Sequence, residues 1–229
     1  MSNKKSGRAT KGSQKWVQNL VNLHPDIINK ILIGRLHLPI DAQINWVSPL
    51  GADNFKEYRD NDFLKHLRID PAGLKRKLVN NFWPKQGASW DALAFTNSGQ
   101  VILVEAKSHI GEILTEPTGA KKLSSISTIQ KSLEDTKSFL EVNSPADWSN
   151  CFYQYANRLA HLYFLRNLNE VKAHLVFLYF LNDKEQCGPK NAKEWNQAIR
   201  RVERALGLPK RHKLSNSIHK VFIDVRKLG

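Results

Sequence analysis

The stretch SWDALAFTNSGQVILVEAKSH, residues 89–109, constrains this chain more than any other. Two apolar runs flank TNSGQ, whose Gly99 is free to take a positive φ, and that combination specifies a tight β-hairpin. The second run ends on an acid and a base two positions apart, Glu105 and Lys107. Removing an unpaired charge from water is expensive even after relaxation, so both groups need partners or a task. Centring the turn on Ser98–Gly99 makes opposed residue numbers sum to about 196–198, which sets Asp91 opposite residues 105 to 107. Glu105 and Lys107 share a face because side chains alternate along a strand. The face of Asp91 depends on a register that the turn alone leaves open by one residue.

Two carboxylates at one level of a sheet suit a hard divalent cation, which takes oxygen ligands and keeps positions for water and a phosphate oxygen. A lysine beside them suits an attacking water or the charge that develops on a phosphate. The competing reading is a structural Asp–Lys–Glu ion-pair cluster, and spacing alone does not separate the two.

The charge balance favours a polyanionic partner. Lys and Arg number 35 against 21 Asp and Glu, a net charge of +14 with a pI near 9.8, so nucleic acid is expected first and an anionic membrane surface second. Cys151 and Cys187 form no CxxC pair and the eight histidines show no spacing with cysteine that suggests zinc. The amino terminus carries no apolar signal core, and no apolar run reaches the ~18 residues of a membrane span. A cytoplasmic protein with no membrane association is the expectation.

Periodicity then organises the rest. Residues 1–13 read as a flexible basic arm with Lys4, Lys5, Arg8 and Lys11, and 14–229 as one domain. Trp16, Leu20 and Leu23, then Ile27, Ile28, Ile31 and Leu32, give two helical stripes with Pro25 in a first turn. INWVS is a short strand, and a helix is expected from about Asp53 with Phe55, Phe63, Leu64 and Leu67 inward. IDPAGLKRKLVNNFWP adds a short helix or turn. STIQKSLEDTKSFLEV and CFYQYANRLAHLYFLRNL are helical, AHLVFLYFL and KVFIDV are strands, and NAKEWNQAIRRVERALGLP is a helix closed by Gly207 and Pro209. The sum is an α/β fold: a mixed β-sheet core flanked by helices, with an α-helical N-terminal segment.

Asp91, thirteen further residues and then EAK at the end of an apolar strand resembles the PD-(D/E)XK nuclease superfamily, with its restriction-endonuclease-like fold. The resemblance covers about residues 50–226. It implies a metal-dependent nuclease acting on phosphodiesters, with DNA the expected partner, Mg²⁺ the cofactor (Mn²⁺ a substitute), internal cleavage, and a homodimer if two sites cut two strands. Asp91 and Glu105 would bind metal and Lys107 would be the catalytic lysine. Glu57 would supply the acid of the first core helix, with Asp60 in reserve, and the Ala106 carbonyl would be a further ligand. Gln154 would match the glutamine of the helix after the motif strand. Gln154, Arg158 and His161 fall on one polar stripe, expected to face the site with Arg158 towards a phosphate. The chain departs from the pattern in having Trp90 before Asp91 and an insertion at 108–150, read as a substrate-contacting flap or dimer element that carries Lys121 and Lys122.

Other polar residues have ordinary alternatives. His109 is either a phosphate contact or a surface residue, and Glu112 is expected as a solvated loop acid. Arg200, Arg201 and Arg204 on one helix, and Lys210, Arg211 and Lys213 beyond it, are candidate phosphate contacts or a solvated face. The tryptophans, Trp83, Trp90 and Trp195 among them, are expected in the core. A non-catalytic nucleic-acid-binding module is the second functional expectation, and a basic structural or membrane-surface protein the third.

Overall fold

The computed structural model describes residues 7–114, 117–150 and 152–228; Lys4, Lys5 and Cys151 lie outside them. The expected hairpin is present as β2 (Ala92–Thr96) and β3 (Val101–Lys107), turning at Gly99 with φ +78°. Ala92 pairs with Val104 and Leu93 with Leu103, a register sum of 196. β1 (Ile44–Ser48) runs antiparallel to β2 on its outer side. β4 (Ala173–Leu181) and β5 (Ile218–Asp224) continue the sheet in parallel beyond β3. Among the described residues these strands form one mixed sheet in the order β1-β2-β3-β4-β5.

The central strands read as unbroken apolar runs because helices cover both faces of the sheet. On one face, α1 (Gly12–Leu23) and α2 (Pro25–Arg35) bury Val17, Leu20, Ile28 and Leu32 against Ala92, Ile102, Val104 and Val176. The opposite face, with Leu93, Leu103, Leu175 and Phe177, receives α3 (Asp60–His66), α4 (Leu123–Phe139), α5 (Tyr153–Tyr163) and α6 (Ala192–Ala205). Each aliphatic or aromatic side chain fully buried in this way contributes about 1.5–3 kcal/mol. The chain after α5 continues as one π-helical turn over Phe164–Leu168. Asn191 caps α6 through its side-chain oxygen, and Gly207 closes that helix at φ +71°. A Cβ at Gly207 would lie 2.2 Å from that of Ser144, so glycine is required there for space as well as for conformation.

Several sequence expectations need correction. The inward stripe of α1 is Val17, Leu20 and Val21; Leu23 is 59% exposed and Trp16 half-buried. An i, i+3, i+4 count accepts either phase, and only the packing partner chooses between them. The helix expected from Asp53 starts at Asp60. Asn54 and Phe55 hold positive φ after a short 3₁₀ turn, so the chain cannot propagate a helix and runs extended through Glu57. Phe55 is half-buried beside Gly51, not in the core with Phe63 and Leu64. Residues 69–90 form no helix, yet Leu74, Leu78, Phe82, Trp83 and Trp90 anchor them to the core. The segment 108–150 is not a projecting flap. Ile129, Leu133 and Leu140 are buried in the main cluster, and the Trp148 indole donates to the Leu206 carbonyl at 3.0 Å.

Candidate active site

The ladder places Asp91 one step beyond the Ala92–Val104 pair, opposite Glu105 and on the same face. The backbone N–H of Ala106 donates to Asp91 Oδ2 at 2.7 Å and fixes that carboxylate beside the strand. Glu105 is 1% exposed, underneath it. Lys107, two residues on, donates to Glu105 Oε1 at 2.5 Å and to Gln154 Oε1 at 2.9 Å. Asp91, Glu105, Lys107 and Gln154 are thus brought together at one end of the sheet, although Gln154 lies beyond the long 108–150 segment.

Arg158 departs from its expected place. Its guanidinium faces inward, donating through Nε to Glu105 Oε2 at 2.6 Å and through Nη2 to the Ser89 carbonyl at 2.8 Å. It also lies over the Trp90 ring, 4.5 Å from the centroid. A guanidinium with a carboxylate, a carbonyl and an aromatic face around it has no need of an external phosphate. His161 leaves the site altogether. It packs among Trp83, Trp90, Phe63 and Phe82, and its Nδ1 bonds the Asn157 carbonyl at 2.9 Å. Burial holds it neutral and pushes its pKa down to about 3.

The charges set the chemistry. Burial, then the Glu105 carboxylate, push Asp91 up to about 7, against the pull of Lys107. Burial also opposes the charged form of Glu105, but Arg158 and then Lys107 outweigh it and hold Glu105 below the ordinary carboxylate range. Glu105 is the ionised centre of the cluster, and Asp91 is a carboxyl near its titration point.

Glu57 reaches the same end of the sheet from the extended segment before α3, not from a helix. It accepts from Ser89 Oγ at 3.0 Å and from Gln14 Nε2 at 2.9 Å, and its charge is felt at Asp91. Asp60 does something else: its two oxygens accept the backbone N–H groups of Gln86 and Gly87, each at 2.9 Å. Glu112 is no solvated loop acid, since it takes Ser13 Oγ and the N–H groups of Ser108 and His109 and braces the turn after β3.

Beside Asp91 opens a cleft of about 1140 Å³, lined by residues 83–89, by 118–122 with Ser124 and Ser125, and by Gln154, Asn157 and Arg158 of α5; Glu105 and Lys107 lie at its edge and do not line it. Lys121 and Lys122 line it, joined by Lys85. Sequence reasoning missed Lys85, Ser89, Tyr153 and Asn157 here. The wall that carries Lys85 and Ser89 has no periodicity to mark it; on α5, Tyr153 adjoins Gln154 and Asn157 lies three residues beyond it, close to one helical turn. Arg200, Arg204, Lys210, Arg211 and Lys213 are exposed but do not line the cleft, and Lys213 pairs with Glu141 at 2.8 Å. Arg8 is exposed at the described end of the basic arm, while its neighbours Gly7 and Ala9 are tied to the Gln18 side chain.

No protein-family model, curated protein or solved structure matches this chain. The site therefore stands on its own geometry. Among the described residues no helix is long and apolar enough to cross a membrane. Nor do three His, Cys, Asp or Glu side chains among them cluster closely enough to hold a metal ion. The donors present are still of the kind a hard cation takes: two facing carboxylates, one of them, Asp91, raised by burial and then by the charge of the other. Remaining positions would fall to the Ala106 carbonyl, water and phosphate oxygens, and Glu105 would have to exchange an arginine contact for the cation.

Proposed function

We propose that this chain is a cytoplasmic, metal-dependent nuclease of the PD-(D/E)XK type with a restriction-endonuclease-like fold, hydrolysing phosphodiester bonds in nucleic acid, DNA first. One observation carries the reading: Asp91, Glu105 and Lys107 converge with Gln154, and Asp91 and Gln154 line a cleft that also carries Lys85, Lys121 and Lys122. The mixed sheet with helices on both faces supports it.

Asp91 and Glu105 would hold a divalent cation, with Glu57 close enough to act through charge or through water. The cation would supply Lewis acidity towards a phosphate oxygen and lower the pKa of water. Lys107, steered by Gln154, orients the water and offsets the charge that grows on the phosphate. The water oxygen bonds to phosphorus as the bond to one bridging oxygen breaks, leaving a phosphate on one product and a hydroxyl on the other. Arg158 keeps Glu105 ionised and in place instead of touching the substrate.

A second reading has its own support. Both Glu105 oxygens are taken by cationic side chains, as they would be in a binding module that keeps a buried ion-pair cluster without chemistry. Incubating plasmid and short linear DNA with the protein and Mg²⁺ or Mn²⁺ separates the two, beside Lys107→Ala and an EDTA control. Cutting that needs metal and Lys107 is the expected result; salt-sensitive binding without cutting would favour the module.

A further inference from the structure

The size and lining of the cleft beside Asp91 bear on the form of nucleic acid that enters it. Asp91 lines the cleft together with residues of the segments 83–89 and 118–125, so a phosphate seated at Asp91 in the cleft meets both. The volume of this open cleft, about 1140 Å³, lies just above the ~300–1,000 Å³ of pockets that hold one small molecule. Duplex-binding modules instead spread about 1,000–2,500 Å² of protein surface over both strands. The walls are small where a backbone would run: Gly87, Ala88 and Ser89 on one side, Gly119, Ser124 and Ser125 on the other. At Gly87 a Cβ would meet the Trp83 ring at 2.9 Å, so that wall is held thin by packing.

Two groups on α5 add recognition chemistry. Tyr153 is half-buried in the cleft, its ring nearly parallel to Trp83 with centroids 6.5 Å apart. Asn157, one turn further along, is 5% exposed and also lines the cleft, and its Oδ1 has no hydrogen-bond partner among the described residues. A buried acceptor without a partner is costly, and a base amino group or a sugar hydroxyl would satisfy it. Lys85, Lys121 and Lys122 are exposed at the walls, where a phosphate backbone would run. Cations along a groove with an aromatic face inside it are the recurring means of gripping single strands.

We infer that the cleft binds single-stranded nucleic acid, a few nucleotides at a time, with a base stacked on Tyr153 and a donor group of the ligand on Asn157. The inference rests on reading the cleft as the phosphodiester site and adds the substrate class.

The test is fluorescence anisotropy in EDTA, so that binding is read without cleavage. The probes are a 12-nucleotide single strand and a blunt hairpin duplex of equal phosphate count. We expect the single strand to bind at least about tenfold more tightly. Tyr153→Leu should lose about tenfold on the single strand alone, the usual worth of one stacked base, and Tyr153→Phe should retain binding. Lys121→Glu with Lys122→Glu should weaken the single strand and flatten its salt dependence. Equal or tighter duplex binding overturns the inference, as does wild-type affinity in Tyr153→Leu. Single-strand binding by a protein that never cuts with any metal would leave this inference standing and remove the nuclease.

Discussion

Two polar clusters are built into the same sheet, and they settle their charge in opposite ways. Nearer the hairpin turn, His174 Nδ1 meets His219 Nε2 at 3.1 Å, and His174 Nε2 meets Gln100 Oε1 at 2.8 Å. Burial first, then neighbouring positive charge, pushes both imidazoles down to about 4, so this cluster is neutral and closes on itself. At the other end, Lys107 and Arg158 pair with Glu105 and hold it below the ordinary carboxylate range, while Asp91 is raised to about 7 and lines a cleft. A neutral, mutually satisfied network mainly fixes structure. A charged one whose carboxyl is shifted towards neutral pH is the usual mark of a working site.

The sharpest way to break that contrast is at Glu105. Glu105→Ala strands Arg158 in the interior without its counterion, and losing one partner of a buried pair costs about 3–5 kcal/mol. We expect no cleavage and a large drop in urea midpoint; a variant as stable as wild type would mean that Arg158 finds water, and that the cluster is less enclosed than its burial indicates. Lys107→Ala separates chemistry from stability, because Glu105 keeps Arg158. Cleavage should fall about 10²–10³-fold, the scale of one lost transition-state donor, with the melting temperature nearly unchanged.

The pH responses of the two clusters should have opposite signs. Asp91 is raised to about 7, so the stability it contributes is full below its unfolded pKa near 3.8 and is lost as pH rises towards 7. A bound cation must displace that proton, so metal affinity and cleavage should both strengthen as pH rises through about 7. Titration calorimetry in buffers of different ionisation enthalpy would show the released proton, and its absence would place the metal elsewhere. His174 and His219 are depressed instead, so their contribution is present above the unfolded value near 6.5 and is lost as pH falls towards 4. His174→Gln should flatten the loss of thermal stability between pH 7 and 5, and an unaltered slope would mean that the pair is not the titrating element. The smallest effect belongs to α6: Arg204→Glu should weaken nucleic-acid binding by a few-fold at low salt and leave single-strand preference intact, because Arg204 is exposed outside the cleft.

The reach of the sequence differs from element to element. TNSG between two apolar runs sufficed for the hairpin, and the register sum of 196 fell inside the expected window. Period-2 alternation then put Glu105 and Lys107 on one face. The helix of Gln154 was legible from its periodicity, while Gln154 itself came from the resemblance, and it meets Lys107 despite the long intervening segment. Glu57 was placed near the site for a reason that does not hold, since it lies on extended chain and not on a helix. Arg158 was assigned to a phosphate, and its polar stripe gave no sign that Glu105, Ser89 and Trp90 would enclose it. His161 sits on the same stripe and ends in an aromatic cage, because a helical wheel records direction but not what stands opposite.

The sequence by itself determined the α/β class, the hairpin, and the level at which Asp91, Glu105 and Lys107 meet, because strand alternation and turn chemistry act between residues close in the chain. Tertiary structure alone decided that Arg158 pairs with Glu105, that residues of 83–89 and 118–125 line one cleft, and that the basic residues Arg200 and Arg204 of α6 do not line it. Those outcomes depend on which surfaces pack across the sheet. The burial energy that selects such packing is summed over the whole core, and no short stretch of sequence encodes it.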